Sequence, residues 1–109
     1  MDKHGNPENH TVTITVDSDG NFTYENPLIW VDRGDTIVWE CTNKCPFAVY
    51  FGWDSPLKKG RFNAAKGNNI STVIPENAPP GHYNYTSAVF LDGEIWMDDT
   101  EVIIRRPRR

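Results

Sequence analysis

Long apolar runs are missing from this 109-residue chain: Leu28–Val31 and residues 88–91 stop after four positions. A membrane-spanning helix needs roughly 20, so no span is expected. Cysteine is scarce as well, with only Cys41 and Cys45. Two thiols cannot complete a four-ligand zinc site, and their spacing fits no common zinc motif. The pair reads as structural, either a disulfide closing a small loop or two semi-buried thiols. Only Lys44 stands close enough in sequence to lower a thiol pKa. Cations are sparse in the body of the chain. The net charge is −4 and four arginines, Arg105, Arg106, Arg108 and Arg109, fall in the last five residues, so residues 1–104 carry −8. Such an acidic body lacks the lysines and arginines that grip a phosphate backbone, which argues against nucleic acid as a partner. The arginine tail and the stretch Lys58, Lys59, Arg61, Lys66 read as solvated surface.

Catalytic signatures are absent too. The chain holds no Gly-x-Ser-x-Gly elbow, no His-Glu-x-x-His and no phosphate-cradling glycine loop. Carboxylate pairs for glycoside hydrolysis could be drawn, but a domain this small offers no evident cleft to orient a sugar. The reading is therefore not an enzyme. The polar opening segment has no apolar signal core, which implies a cytoplasmic protein unless a leader has been removed.

What the chain does have is alternation. Residues 10–16 place Val12, Ile14 and Val16 on one face and threonines on the other, the period-two mark of a half-buried strand. Short strands are also expected at residues 22–24, 28–31, 36–40, 47–53, 70–74, 82–91, 94–97 and 101–105. Turn residues separate them, including Asp17 to Gly20, Gly34-Asp35 and the hairpin dipeptide Asp92-Gly93. Residues 54–69 lose the alternation and read as a long loop with one helical turn near Asn63 to Lys66. Without a convincing helix, the pattern predicts an all-β fold, a single antiparallel Greek-key β-sandwich of about seven to eight strands. Residues 1–9 form a flexible leader, 10–105 the sandwich and 106–109 a basic tail.

The order of features then becomes specific. Val31 to Trp39 with its Gly34-Asp35 turn, Pro46-Phe47-Ala48-Val49-Tyr50-Phe51, and Pro80-Gly81-His82-Tyr83-Asn84-Tyr85 together resemble the cupredoxins, the blue-copper proteins and their relatives, over residues 10–105. The resemblance implies a cupredoxin-like sandwich and, in copper-bearing members, two histidines, a cysteine and a weak axial methionine. Here the first histidine position, after Pro46, holds Phe47. The cysteine position, two residues beyond Tyr85, holds Ser87, and the second histidine position holds Phe90. Met97 is loosely placed for the axial ligand, with packing its expected role. Neither benzene rings nor a hydroxyl replace imidazole and thiolate, so no metal and no cofactor are expected.

Three functions compete. The first is a copper-free accessory module that binds another protein, or itself, through the former ligand end, with Phe47, Trp53, Phe90 and Met97 as the face. The second is carbohydrate binding through tryptophans, of which Trp39 reads as core and Trp30 and Trp96 as exposed. The third is copper binding or electron transfer through non-standard ligands, Cys41, Cys45 and His82 being the one constellation to test. His4, His10 and His82 otherwise read as surface residues. Asp92, Glu94, Asp98, Asp99 and Glu101 read as a solvated acidic hairpin rather than a calcium site. Sequons at Asn9, Asn21, Asn69 and Asn84 carry no inference.

Overall fold

The structure, a computed structural model, describes residues 7–26 and 28–105. His4, Pro27, most of the expected leader and the tail 106–109 lie outside the described residues. Among the described residues nine strands form two sheets: β1 (Asn9–Val16), β2 (Phe22–Glu25), β3 (Leu28–Val31), β4 (Thr36–Cys41), β5 (Phe47–Tyr50), β6 (Arg61–Ala64), β7 (Ile70–Val73), β8 (Gly81–Leu91) and β9 (Glu94–Ile104). One sheet runs β2-β1-β4-β7, the other β3-β9-β8-β5-β6.

Alternation decides which side chains meet between the sheets. Val12, Ile14 and Val16 of β1, with Ile37, Trp39 and Cys41 of β4, turn inward from the four-stranded sheet. Phe47, Val49, Tyr85, Val89, Val102 and Ile104 turn inward from the other, and all are buried. Trp39 fills the centre, its ring 5.6 Å from Tyr85, 6.0 Å from Phe62 and 6.1 Å from Phe51. This aromatic cluster joins the two sheets, and burial of each ring removes on the order of 150 Å² or more from water.

Polar groups fix the connections. The buried Asp35 carboxylate accepts hydrogen bonds from the backbone N–H groups of Glu8 (3.0 Å) and Asp32 (2.9 Å) and pairs with His10 Nε2 at 2.8 Å. One side chain thus ties the start of β1 to the β3–β4 turn. Burial opposes its ionisation, but the bonds from Asp32, Glu8 and His10 prevail and hold its pKa below the usual aspartate value. Arg105 grips Asp32 in a two-pronged pair, both contacts at 3.1 Å, and locks the end of β9 to the same turn.

Several expectations need correction. The long loop contains strand β6, paired with β5 through Phe47↔Ala64 and Tyr50↔Arg61, and no helical turn occurs at 63–66. The single short 3-10 turn lies instead at Gly52–Asp54, ending β5 at Tyr50. The two last strands are one continuous β9, paired with β8 along its whole length. The sandwich is not wholly antiparallel: β1 runs parallel to β4 and β3 parallel to β9. These are pairings between strands distant in sequence, so no local turn signal reports them.

Candidate functional site

The positions to which the resemblance assigns copper ligands lie on β5 and β8. Phe47 pairs with Val89 and Val49 with Ser87, so Phe47 and Ser87 face the interior on adjacent strands, and both are buried. Strand β8 runs on unbroken to Leu91, so position 90, three residues past Ser87, faces the opposite side of the sheet. Phe90 is accordingly 48% exposed. Side chains at 87 and 90 cannot converge on one ion while this strand stays regular. Met97 pairs with Ala88 and also points outward, 67% exposed, which corrects its expected packing role. The residue types and the geometry both fail to fit a type 1 copper centre.

Inside the sandwich, the Ser87 hydroxyl and the Tyr24 hydroxyl are buried without a well-aligned hydrogen-bond partner. Burial pushes the Tyr24 phenol well above its ordinary pKa; the nearby Ser87 hydroxyl opposes the shift and the Asp98 carboxylate adds to it. Burial likewise pushes Tyr85 up to about 12. These groups stay neutral at physiological pH and offer no general base there.

Cys41 and Cys45 are free thiols. Cys41 is buried at the end of β4, its thiol directed to Asn43 Oδ1 at 3.7 Å, and burial raises its pKa, the reverse of a reactive thiolate. Cys45 Sγ is directed instead to the Asn43 carbonyl, at 3.5 Å. His82 lies on the other sheet's outer face, 3.4 Å from Glu101, so the trio with Cys41 and Cys45 does not assemble. Among the described residues, no three His, Cys, Asp or Glu side chains come together as a metal-holding group. His10 is not a free surface residue either, being held by Asp35.

The proposed interaction residues separate. Phe47 belongs to the core, and Trp53, 97% exposed, sits beyond the Tyr50 end of β5, far from the Phe47 end. Phe90 and Met97 do share a face, and Ile95, which sequence reasoning passed over, joins them at 67% exposed, paired directly with Phe90. Phe90 and Ile95, with Pro46, Ala48 and Ala88, border a groove of about 320 Å³. The signal that could have found Ile95 was its place opposite Phe90 across the Asp92-Gly93 turn, where both turn residues have the positive φ (53° and 80°) that a two-residue hairpin demands. Within the hairpin the charge is of one sign, since residues 82–104 contain five carboxylates and neither lysine nor arginine, while the groove's other wall, at Asn63 and Ala65, adjoins the exposed Lys66.

The tryptophans divide differently from expectation. Trp39 is core and Trp30 is half-exposed on β3, but Trp96 packs inward over Gly20, where an added Cβ would lie 2.3 Å from its ring. The indoles of Trp30 and Trp53 stand on separate grooves and make no common sugar platform.

No family model and no curated protein sequence matches this chain. Solved structures do. A pseudoazurin from Sinorhizobium meliltoi superimposes with a TM-score of 0.61 at 18% identity, covering 92% of this chain and 76% of the other. The chain has the cupredoxin fold. A purple cupredoxin from Nitrosopumilus maritimus gives a TM-score of 0.56 at 12% identity, covering 88% of this chain and 99% of its own. A pseudoazurin from Hyphomicrobium denitrificans gives 0.56 at 15%, with 91% and 77% covered. On this cupredoxin fold, the expected single sandwich stands with nine strands instead of seven or eight. No helix among the described residues is long and apolar enough to cross a membrane.

Proposed function

We propose that this chain is a copper-free, non-catalytic cupredoxin-fold module that binds a protein partner through the outer face of the β8–β9 hairpin. One observation carries both halves of the reading. Strand β8 continues unbroken through positions 87 and 90, which separates the ligand positions onto opposite faces and at the same time turns Phe90 outward beside Ile95 and Met97. An exposed apolar patch of this kind marks association. The acidic surround, with Asp92 exposed at the hairpin tip and Asp99 exposed on the same face as Met97, selects a partner that presents an apolar side chain flanked by lysine or arginine. A second hydrophobic acidic surface would be repelled.

The test has two arms. Adding Cu(II) to the purified protein is expected to give no thiolate-to-copper absorption and no metal retained after desalting; a coloured, retained ion overturns the copper-free half. Titration with a synthetic tryptophan peptide flanked by lysines, followed by backbone amide resonances, is expected to move residues 88–97. The Phe90→Lys variant should lose those shifts. Shifts confined to other strands, or none at all, overturn the docking half.

A further inference from the structure

The chain itself carries the complement that this face selects. Trp53 stands out of the connection between β5 and β6, the most exposed large hydrophobic side chain among the described residues. The connection is braced: the N–H groups of Phe51 and Gly52 both donate to the Gly60 carbonyl, at 2.6 and 3.3 Å. Ser55 Oγ donates to the Lys59 carbonyl at 2.6 Å and accepts from the Leu57 N–H at 3.1 Å, and the Leu57 side chain is buried in the core. Gly60 is required by this closeness, since a Cβ there would meet the Gly52 carbonyl oxygen at 2.5 Å. The indole is therefore presented by an ordered loop, which lowers the entropy lost on docking. Exposed Lys58, Lys59 and Arg61 surround it.

We propose that the protein associates head to tail with a second copy, Trp53 of one copy entering the groove beside Phe90, Ile95 and Ala48 of the next. This pairing rests on the docking reading of the hairpin and supplies its partner. The groove's volume of about 320 Å³ is ample for an indole. Lys58, Lys59 and Arg61 of one copy then face Asp92 at the hairpin tip of the other, so charge favours this orientation and speeds encounter. The two surfaces lie at opposite ends of β5, with the groove at Phe47 and the tryptophan past Tyr50, so one copy cannot occupy its own groove. The contact is heterologous, with a free knob and a free groove left on every open assembly.

Sedimentation of the full chain over a concentration series tests this. The mean mass should climb with concentration at low salt and fall back towards monomer at high salt. Trp53→Ala and Phe90→Lys should each weaken association about tenfold or more. An equimolar mixture of the two should pair again but stop at dimers, because each retains only one working surface. Lys58→Glu, which spares the contact of Lys59 with the Phe62 ring, should weaken association in the same direction. A strict monomer at every concentration and low salt overturns self-pairing while leaving the hairpin's response to the lysine–tryptophan peptide intact, so the two readings fail separately. A dimer lost with Phe90→Lys but kept with Trp53→Ala overturns the head-to-tail arrangement in favour of a symmetric one.

Discussion

The two outer faces of the sandwich obey the same alternation and end with opposite chemistry. On the four-stranded sheet, the outward residues satisfy one another across strands: Thr13 donates to Glu40 at 3.1 Å, and the hydroxyls of Thr15 and Thr42 meet at 2.7 Å. On the five-stranded sheet the hairpin end presents Ala88, Phe90, Ile95 and Met97 outward. Water solvates the first face at little cost, whereas the second leaves large apolar area exposed that folding alone does not require. Packing therefore explains one face and does not account for the other.

The comparison can be broken at the interior both faces share. Trp39→Ala should destabilise the fold by about 4 kcal/mol, because its indole touches three aromatic rings from the opposite sheet. Chemical denaturation reads this, and a loss well under half as large would mean the sheets do not depend on a common centre.

The next largest effect lies at the β3–β4 turn. Asp35→Ala should cost about 3 kcal/mol by orphaning the Glu8 and Asp32 N–H groups and the His10 ring. The pH dependence has a fixed sign. Because the folded pKa of Asp35 is depressed, its contribution is complete above the unfolded aspartate value and is lost as pH falls through the lower folded one. Stability measured between neutral pH and strong acid should therefore fall less steeply in Asp35→Asn than in the parent protein. An unchanged slope would remove this carboxylate from the turn's support.

Gly20→Ala should cost about 2 kcal/mol, from both a φ of +86° and the collision with Trp96, and it joins the two halves of the comparison. Amide exchange should quicken at the hairpin as well as in the β1–β2 turn; quickening in the turn alone would show that Trp96 does not couple them. Ser87→Ala should change stability by no more than about 1 kcal/mol, since its buried hydroxyl makes no well-aligned hydrogen bond. A loss of several kcal/mol would reveal a bond to Tyr24 that sustains the core. Met97→Lys should leave stability within about 0.5 kcal/mol while sharply reducing docking, which separates the outer hairpin face from the interior.

Much of this architecture is written locally. The threonine-valine alternation of β1, the Asp92-Gly93 turn and the central role of Trp39 are each fixed by neighbours a few residues apart. Strand β6 escaped because it is a four-residue edge strand close to Gly60 and Gly67, with polar Arg61 and Asn63 on its outer side, the composition of a loop. Which side of the hairpin faces outward escaped for the opposite reason. Ala88 and Phe90 outward, Val89 and Leu91 inward, Ile95 and Met97 outward and Trp96 inward make both sides apolar, so periodicity cannot distinguish interior from surface. Seeing that Phe47, Ser87 and Phe90 replace metal-binding residue types needed only the resemblance. That Ser87 and Phe90 turn away from each other required the register.

The amino-acid order alone determined that this chain is a single sandwich of short strands, that its body is acidic, and that imidazole and thiolate are missing where cupredoxin relatives carry them. The first two follow from side-chain chemistry and period-two spacing, which are local, and the third from the resemblance to copper-bearing cupredoxins. Tertiary structure alone decided the two parallel pairings, the outward turn of Phe90 into an apolar groove, and the placement of Trp53 with its cations at the far end of the same sheet. Each depends on which distant strand lies alongside, and that choice is made by the packing of the whole interior.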